Sequence, residues 1–144
     1  MTRAQRTVYH VCRLALGGAF VYAGFLKAKD VQSFAGTVAA YQLLPYTLNY
    51  LVAATLPWVE MLAGGLLLAN RHVRAATLVL TALISLFVVV LLSVVLRGLE
   101  IDCGCFGSAG TTSPWQALLR DFLLLLAAHL VFHLRGLFQP EKLP

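Results

Sequence analysis

Residues Ala75 to Leu96 read AATLVLTALISLFVVVLLSVVL and contain no charged side chain. At 1.5 Å per residue a helix of that length rises roughly 30 Å, the thickness of a bilayer's hydrocarbon core. The composition agrees with this stretch. Across 144 residues, AVILMFWYC supply 60% and DEKR 12%, with a mean hydropathy of +0.81. Soluble domains carry about 25% charged residues. A compact chain of this size leaves about a third of its surface outside, and there is too little polar material here to cover it. The sequence therefore predicts an all-α integral membrane protein.

Working outward from residues 75–96, three further apolar runs predict spans at about 7–26, 50–69 and 115–134, giving a four-helix bundle in a single domain. Arg13 falls in the first, Glu60 in the second, and Arg120 and Asp121 near the start of the last. Ionisable groups at those depths are penalised by lipid, so they are expected to face the bundle interior. Arg3 and Arg6 ahead of an apolar run resemble a signal-peptide n-region. However, Arg13 interrupts the run, which then flows into Lys27-Ala28-Lys29-Asp30, so it reads as a retained span.

The net charge of +5 is divided between the two ends of this bundle. Arg3, Arg6, Arg71, Arg74, Arg135 and Lys142 gather at one end; Lys27, Lys29 and Arg97 lie at the other, diluted by Asp30, Glu100 and Asp102. The excess of basic residues places both termini and the 71–74 turn in the cytoplasm of a bacterial inner membrane. The longer loops then face outward, and the first is expected to carry a short amphipathic helix through Val31 to Leu44, ended by Pro45. No basic stripe has the density of a phosphate-binding face, which excludes a nucleic-acid partner and leaves membrane lipid as the surrounding partner.

The outer loop from Arg97 to Pro114 contains Cys103-Gly104-Cys105. Thiols one residue apart fall near the Cα separation a disulfide needs, and the intervening glycine admits unusual backbone angles. A ring that small is strained and favours exchange over stapling. A redox-active dithiol is the preferred reading, with an inert structural pair and a metal site as alternatives. No metal site is assigned, because two thiolates lack further soft ligands nearby. Cys12, in the first span, reads as a small buried hydrophobe.

Glu60 lies near mid-membrane and needs a partner or a polar cavity. Counting residues from the span ends puts Arg13 nearest in depth and Arg120 next, so Glu60 is expected to pair with Arg13. Tyr41 and Trp58, with Tyr46 and Tyr50, are candidates to line an outer pocket. His129 and His133 share one helical row with Asp121. They read as caps at the bundle end rather than haem ligands.

Taken together, Arg13-Leu14, Gly24-Phe25-Leu26-Lys27, Tyr41-Gln42-Leu43-Leu44-Pro45, Leu56-Pro57-Trp58-Val59-Glu60, Asp102-Cys103-Gly104-Cys105-Phe106-Gly107 and Arg120-Asp121 resemble the methylamine-utilisation protein MauE family, within the DoxX-like small four-span membrane proteins. That resemblance implies an accessory factor for maturation of a disulfide-rich periplasmic protein such as the methylamine dehydrogenase small subunit, working with a periplasmic thioredoxin-like partner. A thiol-disulfide relay through Cys103 and Cys105 is the leading expectation. Oxidation of the partner would require an acceptor such as a quinone, although no cofactor-binding residue is identified. The single-residue spacer differs from that of membrane disulfide-generating enzymes, whose quinone mechanism is not carried over. A non-catalytic docking subunit is the alternative, and a small-molecule or ion transporter built on Glu60 the weakest reading.

Overall fold

The computed structural model describes residues 2–99 and 113–138. Cys103, Cys105 and the remainder of their loop lie outside the described residues. Five helices account for nearly all the rest: α1 (Arg3–Lys29), α2 (Val31–Ala40), α3 (Tyr46–Leu68), α4 (Val73–Leu96) and α5 (Pro114–Phe138). All but α2 are long and apolar enough to cross a membrane, and the described residues contain no strand.

α1 outruns its apolar run at both ends, and a local cap fixes where it begins. Thr2 accepts from the Gln5 backbone N–H while the Gln5 side chain accepts from the Thr2 N–H, a reciprocal capping box that starts α1 at Arg3. At its other end α1 continues through Lys27 to Lys29, beyond the expected end of the first span. Asp30 then caps α2 by accepting from the Ser33 N–H. The helix expected through Leu44 stops at Ala40, where Gln42 takes a left-handed φ of 53° and turns the chain. Pro45 therefore opens α3 rather than ending α2.

Among the spans, α1 packs on α3 and α5, and α4 packs on α3 and α5, while the backbones of the α1–α4 and α3–α5 pairs stay apart on the diagonals of the bundle. The spatial order is thus the ring α1–α3–α4–α5, with every neighbour antiparallel. Lipid tails supply no hydrophobic drive between helices, so close backbone approach must hold the pairs together. The α1–α3 contact achieves this with glycine on both sides. A methyl group on Gly24 would meet Pro57 O at 2.8 Å and Met61 Cγ at 2.7 Å, and one on Gly64 would meet Gly17 O at 2.8 Å.

The core runs along this seam and across to the other pair, with Tyr9, Leu16, Phe20, Leu67, Leu80, Ile84 and Val131 buried together. Cys12 packs part-buried against it, as a small hydrophobe. At the terminal end Tyr9 donates its hydroxyl to Asn70 Oδ1 at 3.2 Å, and Arg135 donates to both groups at 3.4 Å. These bonds tie α1, the α3–α4 turn and α5. At the opposite end Arg97 donates to Tyr41 O at 3.0 Å, joining the end of α4 to α2.

Candidate functional site

In the half of the bundle that α2 covers, the four spans part around a cavity of about 390 Å³. Its walls are aliphatic and aromatic, and they are broken by four charged side chains: Lys27 from α1, Glu60 from α3, and Arg120 and Asp121 from α5. The helices bring to one place residues that lie far apart in the chain.

Lys27 follows Tyr9, Arg13, Leu16, Phe20 and Ala23 on the buried stripe of α1. The same three-and-four spacing that buries those residues carries the lysine inward. Its ammonium donates to both carboxylate oxygens of Glu60, at 2.8 and 2.9 Å, with both residues buried. The Phe34 ring of α2 lies 5.3 Å from the same nitrogen and closes one side of the pair. On α5, Arg120 donates through Nε and Nη2 to Asp121 Oδ1 at 3.1 and 2.9 Å. Asp121 is only 3% exposed, and its Oδ2 has no hydrogen-bond partner among the described residues.

The expected pairing of Glu60 with Arg13 is therefore incorrect. Arg13 donates through Nη1 to Leu67 O at 2.6 Å and Leu68 O at 3.2 Å, satisfying the last carbonyls of α3. Residue counting failed because it set the cytoplasmic ends of the two spans, about residues 7 and 69, at one level. The glycine contacts place Glu60 opposite Ala23, so Arg13 sits about ten residues, or roughly 15 Å, lower. Lys27 is about one turn higher, within reach of its long stem. Sequence reasoning missed it by treating it as a loop residue, although it continues the α1 stripe. Arg120 likewise pairs with its neighbour Asp121 rather than serving as a second partner for Glu60.

The expected aromatic lining divides. Tyr41 is buried and lines the cavity, with its ring edge-on to Phe87. Trp58 points outward and is 64% exposed, and Tyr46 and Tyr50 are exposed as well, in the manner of side chains that meet lipid or its headgroups. His129 and His133 face the exposed side of α5 with ring centres 4.2 Å apart. No group of three metal-ligating side chains occurs among the described residues.

Comparison with known proteins agrees with this architecture. The family model described as Methylamine utilisation protein MauE matches residues 5–134. A relative named Methylamine utilization protein MauE from Paracoccus denitrificans is 37% identical over 128 residues, covering 86% of this chain and 68% of the relative. No solved structure matches.

Proposed function

The chain belongs to the methylamine utilisation protein MauE family, and from that membership we propose that it is an inner-membrane accessory factor whose Cys103 and Cys105 relay thiol-disulfide exchange outside the cytoplasm. The observation that carries the reading is the Cys103-Gly104-Cys105 spacing between two membrane-spanning helices. A loop thiolate attacks the disulfide of a periplasmic thioredoxin-like partner and forms a mixed disulfide. The second cysteine then attacks that bond and releases the partner as a dithiol, leaving Cys103 and Cys105 oxidised. The reverse sequence, with the partner's thiolate attacking a Cys103–Cys105 disulfide, oxidises the partner instead. The client is a disulfide-rich periplasmic protein, of which the methylamine dehydrogenase small subunit is the example that the sequence resemblance implies.

Support for the location comes from the division of basic residues. Arg3, Arg6, Arg71, Arg74 and Arg135 belong to the bundle end opposite the one from which the 97–113 loop departs. By the positive-inside rule that loop is extracytoplasmic, where disulfides form and persist.

The test is to trap the mixed disulfide. With Cys103→Ser or Cys105→Ser, one variant should accumulate a covalent adduct with a periplasmic protein that reductant releases, and the double variant should accumulate none. Absence of an adduct from both single variants, together with normal client maturation in the double variant, would reject the relay. The second reading, a docking subunit without redox chemistry, draws on the buried Lys27–Glu60 pair and the Arg13 cap, which fasten helices together. It predicts loss of complex abundance without any trapped adduct.

A further inference from the structure

We propose that the cavity among the four spans is a binding site for a neutral, hydroxyl-bearing lipophile drawn from the membrane. The proposal does not rest on the relay reading, since it uses neither Cys103 nor Cys105.

Five features of the cavity define the ligand. Its volume of about 390 Å³ lies within the range of small-molecule sites, roughly 300–1,000 Å³. Phe20, Phe34, Leu56, Leu83, Phe87 and Val90 form an apolar wall suited to a ring or chain. Leu43, Leu44 and Leu86 line the same space and are exposed, so the cavity opens toward lipid and a longer tail has room to continue outward.

Charge selects the head group. Lys27 and Glu60 neutralise one another, as do Arg120 and Asp121. Tyr41 adds a phenol from α2. Among the described residues two cations face two anions, so these side chains offer no excess charge to a phosphate or a carboxylate, which would enter without compensation for its lost hydration. The head group is therefore uncharged.

Hydrogen bonding supplies the remaining constraint. Asp121 Oδ1 is held by Arg120, while Oδ2 is buried in the cavity wall with no partner among the described residues. A carboxylate oxygen only accepts, so its complement is an uncharged hydrogen-bond donor, O–H or N–H. A neutral hydroxyl on an apolar body meets all of these conditions. Two sources offer that chemistry: the ring hydroxyl of a membrane quinol, and the terminal hydroxyl of an aliphatic or isoprenoid alcohol.

Native mass spectrometry of the full chain released from detergent would test the site with four probes: decylbenzoquinol, decylbenzoquinone, dodecan-1-ol and laurate. One equivalent of a hydroxyl probe should be retained. Retention of the quinol with the quinone about fivefold weaker, roughly the difference one hydrogen bond makes, assigns the ring source; retention of dodecan-1-ol alone assigns the alcohol. In Asp121→Asn an amide replaces the orphan oxygen, and the bound hydroxyl probe should fall by about fivefold. Leu83→Trp fills the cavity without touching a charge and should abolish retention, and two folded variants guard against loss through misfolding. Retention of laurate in preference to every hydroxyl probe, equal retention of quinol and quinone without dodecan-1-ol, or unchanged retention in a folded Leu83→Trp chain would overturn the proposal.

Discussion

The ammonium of Lys27 sits 2.8 and 2.9 Å from the two carboxylate oxygens of Glu60, and the buried pair joins α1 to α3 at the wall of the cavity. Placing two such ions in a low-dielectric interior is costly unless each satisfies the other. The bridge therefore fixes how far one helix slides along its neighbour, because a shift of one turn would separate the charges.

Removing one partner should consequently cost more than removing both. Glu60→Gln keeps the volume but leaves a buried ammonium without its counter-charge, a loss of about 3–5 kcal/mol. Lys27→Met combined with Glu60→Leu replaces both ions by apolar groups and should recover most of that loss. Thermal unfolding of the purified protein in detergent, followed by the loss of monodisperse material, measures both. Equal stability of the single and double variants would show that the pair does not fasten the helices.

The glycine seam gives a sharper contrast within one helix. In Gly24→Ala the new methyl group meets Pro57 O and Met61 Cγ at 2.8 and 2.7 Å, so α1 and α3 must separate. Gly18 lies on the same helix with nothing within 4 Å of such a group. Gly24→Ala should destabilise the bundle by about 1–3 kcal/mol, as overpacking does, while Gly18→Ala stays within about 0.5 kcal/mol of the starting protein. Parallel unfolding curves for the two variants decide the matter; coincident curves would show that the α1–α3 seam tolerates separation.

These two cases show what the sequence reveals and what it hides. Span number and helical class are legible because apolar length against bilayer thickness is a one-dimensional quantity, as in residues 75–96. Tyr41 and Asp121 both line the cavity. The partner of Glu60 was hidden because relative helix height is set by side-chain fit, here by Gly17 and Gly24 against α3. Trp58 was misjudged as lining for a related reason: it adjoins the buried Pro57, yet a helix turns about 100° between successive residues, and this step carries Trp58 to the lipid side.

Orientation across the membrane follows from the basic residues and is open to a direct check. His72 lies exposed in the turn between α3 and α4. A cysteine introduced there, in a chain with Cys12, Cys103 and Cys105 changed to serine, should react with a membrane-impermeant maleimide only after the membrane is permeabilised. In the unaltered chain, Cys103 and Cys105 should react from outside after mild reduction. Labelling of His72→Cys in intact cells would invert the topology and place the cysteine loop in the reducing cytoplasm.

The loop cysteines should also prove easier to reduce than a structural disulfide. A bridge across a single glycine closes a small ring, and the closure-entropy argument gives it little stabilising value. Strain in such a ring raises the reduction potential. Titration against glutathione and dithiothreitol buffers, with mass detection of the oxidised and reduced chain, should give a value above about −300 mV, the region below which structural disulfides resist reduction. Replacing both cysteines by serine should leave thermal unfolding of the bundle nearly unchanged, because closing so small a ring removes little entropy from the unfolded chain. A potential below about −300 mV, accompanied by a clear loss of stability in the double variant, would identify the pair as a staple and remove the chemical basis of the relay.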